Sequence, residues 1–199
     1  VTPTVPAPGV NSPNGFPVID MSSKHFRFCW DISITSNSFW TAAMPHGTLR
    51  NFEEVWKNHV WRMGLPEPTH PINASQPYSG QKRKINITTW YGGYFTGADG
   101  NNIPWVNITP DGLRVDEPTW VPPHEFGHAC QESANTNGSQ VIDGQFWENH
   151  ANYVREQWLY HYPWETNQSN LDPYYADTSH FWLGHCRNYY LCWPFCLYL

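Results

Sequence analysis

Residues 120–131 read WVPPHEFGHACQ. Pro122 and Pro123 stand where the first turn of a helix tolerates proline, because an N–H there has no partner within the helix. The run that follows predicts an α-helix from about Trp120. His124 and His128 are four residues apart, so their imidazoles project from one face, one turn apart. Imidazole suits zinc, and zinc accepts three protein ligands with a fourth position left for water. Two ligands on one helix therefore require the fold to bring a third group to meet them. No other stretch constrains the architecture as tightly.

Glu148 meets that requirement. It lies twenty residues beyond His128, in FWENHAN. The stretch GQFWENHANYVREQWLYH reads as a second helix, with Asp143 as its N-cap. Two antiparallel helices joined by a loop of about a dozen residues can carry the Glu148 carboxylate to both imidazoles. The expected metal set is His124, His128 and Glu148 around Zn2+. Glu125 lies about 100° round the helix from His124. It can reach a water on the metal without being a ligand, which is the placement a general base needs. Cys130 is excluded as a ligand, since i+2 from His128 is a different face. A bare H-E-x-x-H arises by chance in roughly one such chain in fifty. The two consecutive helices make this occurrence more specific than the bare pattern.

Upstream, HFRFCWDISI (25–34) is rich in β-formers and reads as a strand. In TLRNFEEVWKNHVWRMGLP, the residues Phe52, Val55, Trp56, His59, Val60 and Met63 repeat with helical period. Asn51 with Glu54 resembles a capping pair, and Gly64 with Pro66 ends the helix. His59 falls on the apolar stripe and reads as a core histidine. KINITTW (84–90) alternates, with Ile85 and Ile87 inward and the sequon Asn86 on a wet face. GGYFTGADGNN reads as a Gly-rich turn region. IPWVNIT (103–109) reads as a strand that Pro104 favours at a sheet edge. Strand, helix, strand, strand, helix, helix predicts an α+β fold, a small mixed sheet packed on the active-site helix and the ligand-bearing helix after it.

His124, Glu125, His128 and Glu148 resemble the HExxH…E signature of gluzincin-type, thermolysin-like zinc metallopeptidases. The gap to Glu148 and the E-x-x-A form of Glu148 to Ala151 are similar to that group. HEFGHACQ is similar to the HExGHxxQ form of enhancin-like, mucin-directed peptidases and related secreted proteins. The resemblance covers residues 124–152. It implies a zincin-like domain over 18–199, with His124, His128 and Glu148 as zinc ligands and Glu125 as base. It also implies a substrate-binding edge strand ahead of the active helix, here Trp105, Val106 and Asn107. Where the family often has an aspartate that orients a ligand histidine, this chain has Asn152, whose side-chain carbonyl can accept from an imidazole N–H. An oxyanion donor is needed as well. The possible residues are Tyr153, His180, His185, Tyr189 and Tyr190.

Composition narrows the partners. The net charge of −6 leaves no basic footprint for nucleic acid. No apolar run approaches the roughly 20 residues of a membrane span. Five sequons, at Asn73, Asn86, Asn107, Asn137 and Asn167, exceed the roughly two or three expected by chance. With the Pro-rich lead-in of residues 1–17, read as an extended tail on a mature N-terminus, they predict a secreted glycoprotein. The expected substrate is an extracellular protein or glycoprotein.

Aromatics make up 17% of the chain, with 12 Trp. This opens a second reading, a glycan-directed enzyme in which Trp90, Tyr91, Tyr94, Phe95 and Trp105 flank the substrate edge. A third is a non-catalytic structural protein. The apolar ending RNYYLCWPFCLYL carries two of the five cysteines. It either packs in a core, supports self-association, or marks a truncated chain.

Overall fold

The computed structural model describes residues 2–90, 92–100, 103–113, 119–136 and 145–159. They form a mixed α/β fold with a five-stranded sheet and three α-helices. The strands are β1 (Val18–Ser22), β2 (Phe26–Asp31), β3 (Ile85–Thr88), β4 (Phe95–Ala98) and β5 (Pro104–Asn107), and the helices are α1 (Met44–Trp56), α2 (Val121–Thr136) and α3 (Gln145–Leu159).

The sheet order is β1-β2-β3-β5-β4. The three central strands run parallel, with Phe26 opposite Ile85 and Ile87 opposite Val106. Both outer strands, β1 and β4, are antiparallel to their neighbours. One face of the sheet holds the core. Phe26, Phe28, Ile85, Ile87 and Val106 meet Leu49, Phe52 and Val55 of α1 and Phe126 and Ala129 of α2, all of them buried. Phe26 sits at the centre, with ring centroids 5.1 Å from Phe52 and 5.2 Å from Phe126. The period-2 pattern of β2 thus supplies the surface on which both helices rest.

Several expectations are corrected here. The first helix begins at Met44, upstream of the expected Asn51 cap, with Pro45 in its first turn. It continues as a π-helical turn over Lys57–Arg62 and stops at Gly64, whose φ of 74° suits a residue without Cβ. The Gly-rich segment read as a turn contains β4. Gly97 belongs there because a Cβ would come 2.9 Å from the Trp105 ring. Strand 104–107 is interior, not an edge, because it is paired on both sides. Pro104 is accommodated as the first residue of that strand. The sheet's edge on this side is β4.

Residues 2–17 do not form a free tail. Val5 is buried and bridges Arg83. The Pro8 carbonyl accepts from Arg27 Nη1 at 2.8 Å and from Asn86 Nδ2 at 3.1 Å, and Ser12 donates to Asp31 at 2.6 Å. This segment lies over the far face of the sheet, so the face expected to be wet is covered. Asn86 is buried beneath it, and Asn107 is buried too, its Nδ2 donating to the Gly93 carbonyl at 2.9 Å. Their sequons are therefore not acceptors in the folded chain. Asn73 is exposed in a turn, where its Oδ1 accepts from the Ser75 amide at 3.1 Å and the Ser75 hydroxyl at 2.7 Å. Asn137 and Asn167 lie outside the described residues. Expressed through a eukaryotic secretory route, the protein is expected to carry glycan at Asn73 and none at Asn86 or Asn107, as read by glycopeptide mass spectrometry.

Candidate metal centre

α2 and α3 pack antiparallel. Trp120 lies under Arg155, Gly127 faces Ala151, and Gln131 meets Trp147. A Cβ on Gly127 would stand 3.6 Å from the Ala151 Cα, so two small residues allow a close approach at this level. That approach sets Glu148, in the first turn of α3, against the His124–His128 face of α2.

Three ligand atoms converge there. His124 Nε2 is 3.1 Å from His128 Nε2 and 3.1 Å from Glu148 Oε2, and His128 Nε2 is 3.4 Å from the same oxygen. Four ligands about 2.05 Å from a zinc ion would stand roughly 3.3 Å apart along the edges of the tetrahedron. The observed triangle has that size. The three residues form a group able to hold a metal ion.

Gln131 sets which imidazole nitrogen faces inward. Its Nε2 is 2.9 Å from the Trp147 carbonyl, which only accepts, so that nitrogen donates. Its Oε1 is then the atom 2.7 Å from His128 Nδ1, and it must receive a proton from it. With Nδ1–H spoken for, the Nε2 lone pair of His128 points at Glu148 and His124. Gln131 is the glutamine of HExGHxxQ, and its role shows only once the two helices are packed together. Its signal is a side chain at i+3 from His128, on the same face. The sequence expectation is that Asn152 orients one of the two ligand histidines. Asn152 is buried and lines the cavity, but His128 is held by Gln131, and His124 Nδ1 has no hydrogen-bond partner among the described residues. The reason is register: Gln131 is one turn beyond His128 on its own helix, pinned to the start of α3.

Electrostatics follow from burial. Burial alone would raise the Glu148 carboxyl, but hydrogen bonds and charge from His124 and His128 in their protonated forms outweigh it and bring the pKa down to about 2. Glu125 has no such compensation. Burial pushes its carboxyl up to about 7, against the weaker pull of His128 and of Thr96. The Thr96 hydroxyl on β4 donates to the Glu125 backbone carbonyl at 2.6 Å and lies 3.2 Å from Glu125 Oε2. The edge strand and the helix are thus tied together at the glutamate.

These groups line one cavity of ≈ 350 Å3, with Tyr94 and Phe95 on the β4 side and Trp120, Trp147 and Arg155 beyond the histidines. Arg155 is 2% exposed, and its Nε and Nη2 contact Glu156 at 3.0 and 2.6 Å. Thr96 and Arg155 are polar residues of the wall with no expected role from the sequence. Tyr153 is part-buried and is not among the lining residues. His180, His185, Tyr189 and Tyr190 lie outside the described residues, as does the apolar C-terminal segment.

The expected substrate-edge residues divide. Val106 is core, Asn107 is buried, and Trp105 lines a different cavity. Of the aromatic group, Tyr94 and Phe95 border the candidate centre, while Trp90 borders the other cavity with Trp105. Tyr91 lies outside the described residues. Cys130 is buried and free, as expected. Among the described residues, no helix is long and apolar enough to cross a membrane.

The chain belongs to DUF6055, a family of unknown function. The family model matches residues 19–199, the sheet, all three helices and the candidate centre included. A search of curated proteins finds no match.

His59 shows how the first helix supports this centre. It is fully buried on the π-helical turn, and its Nε2–H donates to the Pro123 carbonyl at 2.8 Å, next to His124. Burial brings its pKa down to about 4. An unfolded chain would take up a proton on this residue between pH ~6.5 and ~4, so stability falls as pH drops through that window. The loss attributable to His59 amounts to about 3 kcal/mol. His59→Gln keeps a donor but no titrating ring. Urea unfolding at pH 7 and pH 4.5 should show a smaller drop in this variant than in the wild type.

Proposed function

We propose that this chain is a zinc-dependent hydrolase, a secreted metallopeptidase of zincin-like fold. The observation that carries the reading is the triangle of His124 Nε2, His128 Nε2 and Glu148 Oε2, with edges of 3.1, 3.1 and 3.4 Å, opening into a cavity that also holds Glu125. Two imidazoles and a carboxylate on helical segments suit zinc better than magnesium or calcium, which prefer all-oxygen shells. Bound there, zinc would supply Lewis-acid polarisation of a carbonyl and a lowered pKa for water. The residues that would hold it are positioned differently. His128 is oriented by Gln131, and Glu148 is drawn into line by both imidazoles.

Glu125 is not one of the three converging groups and lies beside them. In this reading its carboxylate takes the proton of the attacking water and returns it to the leaving amine. Thr96 keeps Glu125 against β4, so the base and the edge strand share one reference frame. β4 is the terminal strand on this side among the described residues, and its Tyr94–Thr96 end lines the cavity. An extended peptide adding to that edge would place a backbone carbonyl near the triangle and its side chains alternately up and down. The substrate edge expected at 103–109 is thus reassigned to β4. The exposed Asn73 sequon supports an extracellular setting.

Three experiments test this. Purified protein is expected to carry one zinc per chain by mass spectrometry of metals. Glu125→Gln should retain that zinc while losing hydrolysis of denatured protein or glycoprotein substrates by at least about a hundredfold. An active Glu125→Gln, or a wild-type protein that binds no zinc, overturns the reading. Gln131→Leu, which removes the acceptor from His128, is expected to weaken zinc about 10- to 100-fold in competition with a chromophoric chelator.

A further inference from the structure

A second cavity, of ≈ 210 Å3, lies on the far face of the sheet. Its walls are the N-terminal segment 8–11, Trp90 and Trp105, and the polar side chains Arg83, Asn86 and Asp99. The segment is held in place by the Pro8 carbonyl, which binds Arg27 and Asn86. Both tryptophans are part-buried, with surface left to the cavity.

The polar atoms here are built in but incompletely used. Arg83 is 2% exposed, and its Nε donates to the Lys84 carbonyl at 3.1 Å, yet Nη1 has no hydrogen-bond partner among the described residues. Asn86 is also 2% exposed; its Nδ2 is spent on Pro8, while Oδ1 has no partner among the described residues. A buried donor and a buried acceptor left unmatched cost about 1–3 kcal/mol each, and such groups call for an explanation. Asp99 acts on Arg83 electrostatically, so the cavity holds one group of each sign.

This inventory selects a ligand. An anion would satisfy Arg83 but face the acceptors of Asp99 and Asn86, and a cation would meet Arg83. A hydroxyl donates and accepts at once, so hydroxyls can serve both the unmatched donor of Arg83 and the unmatched acceptor of Asn86. A ring of hydroxyls also has an apolar C–H face, which suits the electron-rich faces of Trp90 and Trp105. We propose that this cavity binds one ring of a neutral saccharide. The site is separate from the metal centre, across the sheet, and does not depend on the hydrolase reading. A glycan on a protein and a free oligosaccharide present the same ring.

The test uses the full chain and isothermal titration, with saturation-transfer NMR to identify the contacting sugar protons. The probes are the methyl glycosides of glucose, galactose and N-acetylglucosamine, with glucuronate and glucosamine as charged controls. At least one neutral glycoside is expected to bind with a Kd on the order of 1 mM. Trp90→Ala should weaken it about tenfold, as expected for loss of a stacking face, with the circular dichroism spectrum unchanged. Arg83→Met should weaken it further if it folds, and Trp90→Ala decides the matter if it does not. Binding should survive a metal chelator. A glycopeptide and the free oligosaccharide it carries then tell the two sources apart, and binding of either supports the site. No neutral glycoside binding, tighter binding of glucuronate or glucosamine, an unaffected Trp90→Ala, or loss on chelation would each overturn the assignment.

Discussion

The close antiparallel contact between α2 and α3 is the constraint on which the centre depends. His124 and His128 are placed by helical geometry alone, but Glu148 belongs to another helix and reaches them only if the two axes approach. Gly127 against Ala151 makes that approach sterically free at the level where the ligands meet. Gln131 secures it, accepting from His128 and donating to the Trp147 carbonyl at the start of α3. One side chain thus fixes both the helix pairing and the tautomer of a candidate ligand.

The rest of the fold holds that pair in position. Phe26 on β2 wedges between α1 and α2 through Phe52 and Phe126. The π-helical turn after α1 carries His59 to the Pro123 carbonyl, so the first turn of α2 is gripped from outside the helix. π-turns commonly mark functional places in helices, and here the turn sits against the residue before His124. On the other flank, Thr96 ties β4 to Glu125. The two faces of the sheet therefore do different work. One supports the helices and the candidate metal centre. The other is roofed by the N-terminal segment and holds the cavity of Arg83 and Asn86.

Much of the centre was legible in the chain because helices convert spacing into direction. The four-residue interval of the histidines, the position of Glu125 and the carboxylate on a following helix needed no long-range information. The amphipathic stripe of Phe52, Val55 and His59 was legible for the same reason. The strands were harder. β4 is short, contains Gly97 and is only part-buried, so its hydrophobic pattern is weak. β1 is largely exposed and shows no clean alternation. Pro104 suggested an edge because proline lacks a ladder donor, yet it stands at the first position of an interior strand, where that donor is not required.

By itself the sequence determined which side chains share a helix face, and so which atoms were available to meet an ion. It also determined that the sheet's inner face would be aliphatic and aromatic, since alternation in a strand is a local property. Only the tertiary structure decided strand order, and with it that β4 and not β5 bounds the cavity. It also decided that the N-terminal segment covers Asn86, that Asn107 is buried, and that Trp90 and Trp105 line a cavity apart from the histidines. These are relations between residues far apart in the chain. Hydrogen-bond pairing and burial establish them, and neither leaves a periodic trace in the local sequence.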